Sequence, residues 1–234
     1  MPPADQAPTQ AASGRPDRVG LLCADIKDAN FLTAILTGAR PDLPVDVMLS
    51  RPALDVWMTT ITPAARLIAF CTDVVVPADA LAVLGGRGYN FHPGPPAYPG
   101  KYPALFALYD GAKVFGATLH EMQARVDSGP IIGVTEFTVP PEADALWLGA
   151  RAHQAALILF LRSVRDLVYR LEPLAALPIS WSNRRCSRQA FEELSTVSPD
   201  IDPEELERRK QVIRQLPGAA LRVVVQGQSF ELKL

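Results

Sequence analysis

Between Val19 and His92 the chain carries four short apolar runs, two of them followed by a helix-start signal. The runs are Val19–Cys23, Val45–Leu49, Arg66–Cys71 and Gly88–His92. Runs this short and this apolar fit strands buried on both faces better than helices. Asp28 is placed to cap a helix running to Thr37. Pro77 is placed to open another running to Leu84, which Gly85 and Gly86 then end. Strands alternating with short helices imply an α/β fold with a Rossmann-like, doubly wound, mostly parallel sheet.

Further along, Tyr102–Tyr109 reads as a short helix, and Lys113–Met122 and Ile131–Val139 read as strands joined by the turn Val126–Pro130. Ala143–Leu171 has a helical period, with Leu146, Leu148, Ala152, Ala155, Leu159, Val164 and Val168 on its expected buried stripe. Residues 179–202 read as polar and irregular, and Pro203–Gln215 as a charged helix. Leu221–Val225 and Ser229–Leu234, around Gln226-Gly227-Gln228, read as a β-hairpin. The expected organisation is a disordered tail over 1–17, an α/β domain over 18–172, and a small C-terminal extension over 173–234 with a helix and the hairpin.

The chemistry gathers at residues 88–100. Period two puts Asn90 and His92 on one side of a strand, with Tyr89 and Phe91 on the other. Pro93 has no N–H to donate and stops the strand. The loop that follows, Pro-Gly-Pro-Pro-Ala-Tyr-Pro-Gly, is stiff and has little conformational entropy to lose. An amide donor and an imidazole thus lie at the carboxyl end of a strand, where open α/β sheets bind ligands.

Composition narrows the function. A net charge of −2 offers no basic excess to neutralise phosphates, so nucleic acid is not an expected partner. Ala155–Leu161, the longest apolar run, is too short to span a bilayer, so no membrane is expected either. Cys23, Cys71 and Cys186 show no disulfide framework and no metal-type spacing, which fits a cytoplasmic protein without a metal. The stretch after the first strand, Cys-Ala-Asp-Ile-Lys-Asp, lacks the glycines that would cradle a phosphate. Only three histidines are available as near-neutral bases. His92 has the strand-end setting; His120 reads as a packed mid-strand histidine and His153 as a structural or solvated one. Asp127 is the natural carboxylate partner for His92, on a turn that contains glycine.

Three ordered motifs carry a resemblance: Asn90-x-His92-Pro93, Gly116-Ala-Thr-Leu-His-Glu-Met122, and Asp127-Ser-Gly-Pro-Ile-Ile132. Their order and spacing resemble the formyltransferase superfamily, which includes glycinamide ribonucleotide, methionyl-tRNA and sugar N-formyltransferases and uses 10-formyltetrahydrofolate. The likeness is good over residues 65–140 and loose over the first strands. It implies that 18–172 is a formyltransferase catalytic domain and that Asn90, His92 and Asp127 are the catalytic set. It further implies that Thr72, Asp73, Val74, Val75 and Val76 lie against the folate, and that the proline loop, through Pro95, Tyr98 and Lys101, faces the acceptor.

There are departures from the family pattern. The loop after Pro93 lacks the usual Ser-Leu-Leu-Pro-x-Tyr-Arg-Gly and its arginine, and Asp73 stands where relatives often carry a basic residue. The resemblance and the absences together imply a small-molecule amine as substrate, foremost a nucleotide-linked amino sugar. Trp147, Trp181 or Tyr98 would stack on its base, and Arg87, Lys101, Arg184 or Arg185 would hold its diphosphate. Another small amine, hydrolysis of the folate by water, and a non-catalytic folate-binding module are the alternatives. The hairpin is expected to cover its own domain or to pair across a homodimer.

Overall fold

A computed structural model describes residues 14–184 and 186–232 of the chain. Its elements run β1 (Val19–Cys23), α1 (Ile26–Ala39), β2 (Val45–Met48), α2 (Arg51–Met58), β3 (Arg66–Phe70), α3 (Ala78–Leu84), β4 (Gly88–His92), α4 (Pro103–Tyr109), β5 (Val114–Glu121), β6 (Ile131–Thr138) and α5 (Ala145–Tyr169). The C-terminal part adds α6 (Arg188–Ser195), β7 (Thr196–Val197), α7 (Pro203–Ile213), β8 (Leu221–Val225) and β9 (Gln228–Leu232).

The main sheet has the order β2-β1-β3-β4-β5-β6. β2, β1, β3 and β4 are parallel, and β5 and β6 join antiparallel. β1 and β3 are buried at every position, as strands covered on both faces must be. In β4 the one residue not fully buried is Asn90. The β4–β5 register sets Asn90 opposite His120 and His92 opposite Thr118. Residues directly opposite in an antiparallel pair point to the same face, so β5 brings a second imidazole beside Asn90.

Several expectations change. Asp25, not Asp28, caps α1, its carboxylate accepting the N–H groups of Lys27 and Asp28. Helix α2, capped by Ser50, was not read from the sequence. On α5, Leu146 lies outside the buried stripe and is 82% exposed, because it sits two positions from Leu148 and so about 200° around the helix. Residues 179–202 contain α6 and β7.

Part of the expected 1–17 tail is ordered. Residues 1–13 lie outside the described residues. Residues 14–17 are tied into the domain: Pro16 is buried and its carbonyl accepts from Arg40, Gly14 accepts from the Leu171 N–H, and Asp17 donates to Ala64. Arg40 and the fully buried Arg66 also cap the last carbonyls of α5, at Val168 and at Asp166 and Leu167.

The extension is not a separate body. Cys186, Leu194, Val197, Val212, Ile213 and Leu221 share one apolar cluster with Phe106, Phe115, Leu148 and Ala152. β7, β8 and β9 form a small sheet, closed by a two-residue turn at Gln226 and Gly227, both at positive φ. The root of the hairpin packs on its own domain through Leu221. Its far end leaves Val225 and Phe230 exposed.

Candidate active site

His92 closes β4, and Pro93 turns the chain away into the proline loop. Asp127 stands on the turn between β5 and β6 at a φ of 45°, in the left-handed region. A non-glycine residue there costs about 1 kcal/mol or more and persists only where its surroundings fix it. Three groups fix this one. Asp127 Oδ2 accepts the Gly100 N–H at 2.7 Å and lies 3.3 Å from His92 Nδ1, while Oδ1 lies 3.1 Å from His120 Nε2. Asn90 Nδ2 is 3.1 Å from His120 Nε2 and 3.5 Å from Asp127 Oδ1. One carboxylate therefore bridges two imidazoles, with an amide donor beside it.

The ring nitrogens are sorted by their partners. His120 Nδ1 is 2.8 Å from the Glu121 carbonyl and must donate to it, so Nε2 is the nitrogen turned to Asn90 and Asp127. Both nitrogens of His92 face oxygens: Nδ1 faces Asp127, and Nε2 lies 3.0 Å from the Tyr98 carbonyl. A charge-assisted bond outweighs a neutral one, which puts the hydrogen of the neutral ring on Nδ1 and leaves Nε2 as the basic nitrogen. Burial pushes His92 below its ordinary pKa, against the pull of Asp127 and the Tyr98 carbonyl. For Asp127 burial acts upward, but His92, His120 and the Gly100 N–H outweigh it and hold the carboxyl at about 2.

Two cavities meet at this cluster. A slot of about 440 Å³ runs along Thr72–Val76, Leu81, Phe91 and Met122 to Asn90, His92, His120 and Asp127. A larger groove of about 1080 Å³ is bounded by Gln123–Pro130 and by residues 179–184, Cys186, Ser187, Gln189, Ala190 and Glu193. Gly100, Val126 and Asp127 belong to the walls of both.

The description "formyl transferase" belongs to the family model that matches residues 51–164. The stretch holds Asn90, His92, His120 and Asp127 and both strands that carry the histidines. That match covers just under half of the chain and points to the formyltransferase superfamily. Among curated relatives, phosphoribosylglycinamide formyltransferase of Mycobacterium tuberculosis is 38% identical over 94 residues, covering 36% of this chain and 43% of that protein. The match thus spans less than half of the relative's length.

Solved structures share the formyltransferase fold over more of the chain. A 4-N formyltransferase from Francisella tularensis has a TM-score of 0.67 at 16% identity, over 93% of this chain and 97% of that one. An N-formyltransferase from Helicobacter canadensis, solved with folinic acid and dTDP-3-aminofucose, has a TM-score of 0.60 at 17% identity, over 89% and 84%. At these identities the likeness is one of fold.

Within this formyltransferase fold, Asn90, His92 and Asp127 come together as one cluster, and Thr72, Asp73, Val74, Val75 and Val76 all line the smaller cavity. Lys101 lines it too, 3.9 Å from the exposed Asp73 carboxylate. Pro95 and Tyr98 do not fit their expected acceptor-facing place: both are buried and neither lines either of these two cavities. The Tyr98 ring turns inward to Phe115, 6.1 Å away, because the second apolar cluster offers it more buried area than the loop surface does. Its backbone carbonyl is what reaches His92.

Arg87 precedes β4, at the opposite end of the strand from His92, and donates to the Ala65 and Val83 carbonyls. Trp147 packs on Phe137. Arg184 lines the larger groove but is paired with Asp110 at 3.0 Å. Arg185 lies outside the described residues. His153 bonds Asp28 at 2.8 Å, the structural role expected of it.

Sequence reasoning missed two parts of the site. His120 is not a mere packing histidine, since it touches both Asn90 and Asp127. The signal for it was the antiparallel pairing of β4 with β5, which only a register assignment reveals. The other is the strap 179–187, whose polar composition gave no helix or strand period to read.

Proposed function

We propose that this chain transfers a formyl group from 10-formyltetrahydrofolate to the amine of a small molecule, and that the acceptor is a nucleotide-linked amino sugar. The observation that carries the reading is the position of Asp127, in the wall common to both cavities and bonded to His92 and His120. A two-substrate transfer needs one catalytic cluster reached from two sides.

The smaller cavity suits a flat heteroaromatic ring. Val74, Val75, Val76 and Phe91 offer apolar contact, and Thr72 and Asp73 offer polar atoms at its edge. When bound, the folate supplies a formyl group carried on nitrogen. Asn90 donates its amide hydrogens towards the oxygen on which negative charge grows. His92 is kept neutral by burial, and its Nε2 takes the proton that the attacking amine must lose, directly or through water. The imidazolium formed has both N–H groups matched, to Asp127 and to the Tyr98 carbonyl. His120, with its Nδ1–H on the Glu121 carbonyl, presents Nε2 to the Asn90 amide and so fixes Asn90 beside Asp127.

The acceptor side is the larger groove, lined by Ser128, Ser182, Asn183, Ser187, Gln189 and Arg125 among others. Its volume of about 1080 Å³ exceeds what a free amino acid needs and accommodates a sugar with a nucleotide. The N-terminus of α1 is closed to a phosphate, because Asp25 occupies its N–H groups and a second carboxylate, Asp28, stands beside it. This counts against a substrate phosphate seated there. The Helicobacter canadensis protein, with its bound aminofucose nucleotide, supports the sugar class.

The test is a panel of nucleotide 3- and 4-amino sugars, glycinamide ribonucleotide and free amines, incubated with protein and 10-formyltetrahydrofolate and read by formyl mass gain. Saturable turnover of an amino-sugar nucleotide supports the proposal. Turnover confined to another amine overturns the acceptor class. Formate release at full rate without any acceptor means hydrolysis, and folate binding without either product means a binding module.

A further inference from the structure

We propose that Trp181, carried by the C-terminal strap, is a positioning residue for the two site histidines and the shutter that keeps water off them. Its indole N–H donates to the Gly129 carbonyl at 2.8 Å, two residues past Asp127 on the same turn. Its ring stands 5.9 Å from His92 at 71° and 5.0 Å from His120 at 89°. Perpendicular aromatic contacts at these separations are attractive and orienting. The two imidazole side chains are only 5% and 2% exposed beneath it.

The strap is bonded to both segments that define the site. Ser182 donates through its N–H to Pro96 and through its hydroxyl to Ala97. Cys186 donates to Pro99 and accepts from Lys101 at 2.6 Å. Trp181 adds the bond to the Asp127 turn. The proline loop and the acidic turn are thereby joined through residues that lie more than fifty positions away in sequence.

The shutter has a chemical consequence, which rests on the formyl-transfer reading. Water admitted beside His92 would add its oxygen to the formyl carbon in place of the amine. The carbon–nitrogen bond to the folate would break, the folate nitrogen would take a proton, and formate would leave. The indole covers the imidazoles on the side of the larger groove and restricts that competitor there, while the smaller cavity still reaches them.

A second consequence is independent of turnover. The titratable groups facing His92 are Asp127 on the turn and His120 on β5; the proline loop faces it with the Tyr98 carbonyl and the strap with Trp181. Burial lowers the pKa of His92 against Asp127, so removing the indole relaxes that lowering and leaves the carboxylate's upward pull.

The test uses Trp181→Ala and Trp181→Leu in the full chain. The Cε1–H resonances of His92 and His120 are followed by NMR as pH changes, assigned with single His→Gln variants. The midpoint of His92 is expected to rise by ~0.5 or more in pH in the Ala variant and by less in the Leu variant. The ratio of formate released to amine formylated is expected to rise several-fold in the same order. Leu fills much of the space, so it carries the test if the Ala variant does not fold. Unchanged histidine titrations in a folded variant overturn the proposal. Failure of the wild-type protein to formylate any amine sinks the functional reading alone, because the titration arm still decides the role of Trp181.

Discussion

Asp127→Asn is the substitution whose outcome the site geometry sets most tightly. The carboxyl is held at about 2, against an ordinary value of 3.8. That difference corresponds to about 2 kcal/mol of stabilisation by the ionised form. Its sign follows from the depressed value: the stabilisation is fully present above the unfolded pKa near 3.8 and is lost as pH falls through the folded value near 2. The variant has no such titration. Its carboxamide offers one oxygen where the carboxylate offered two. Turned towards Gly100 and His92, that oxygen leaves an NH2 facing His120 Nε2, which can accept from it. The lost charge, rather than a clash, is therefore the main effect. Urea unfolding at pH 7 should show the variant destabilised by about 2 kcal/mol, and the gap should close steadily between pH 4 and pH 2. Formyl transfer should fall by roughly 10²-fold or more, since His92 loses the charge that orients its ring and stabilises its imidazolium. A variant as stable as wild type at pH 7, or a gap that persists undiminished into acid, refutes the reasoning about this carboxylate.

Three further outcomes follow from the same geometry. His92→Ala should lower kcat by roughly 10²-fold or more while folate binding survives, and His120→Ala should cost about tenfold through loss of its bond to the Asn90 amide; steady-state kinetics with folate-binding titrations check both, and the reverse ranking would mean that His120 is the base. Gly94→Ala would place a methyl carbon 2.5 Å from His92 Nε2 and 2.9 Å from Pro103 Cβ, so the imidazole must shift; a kcat loss of about 10²-fold with modest destabilisation is expected, measured by kinetics and thermal unfolding. Truncation through Asp17 should destabilise the protein by roughly 1–3 kcal/mol relative to truncation through residue 13, because Arg40 then loses the buried Pro16 carbonyl; paired denaturant curves decide it.

Local signals predicted much of this molecule. The alternation of buried runs and capped segments specified the α/β sheet, since burial on two faces and helix capping are each written within a few adjacent residues. Period two in β4, ended by Pro93, put Asn90 and His92 together at the strand's carboxyl end. The three ordered motifs mark Asp127 as their partner.

Other features depended on contacts that no short window contains. His120 joined the site because β5 pairs antiparallel with β4 in a register that sets it opposite Asn90, and a slip by one residue would have turned it to the other face. Tyr98 turned inward because an apolar cluster built from α4, β5, α5 and the extension had room for its ring. Trp181 came to lie against the histidines because backbone bonds from a segment with no period of its own dock it on the proline loop and the Asp127 turn. Sequence alone settled which groups the chain carries to the end of β4. Packing between distant segments decided which of them touch, and how much water reaches them.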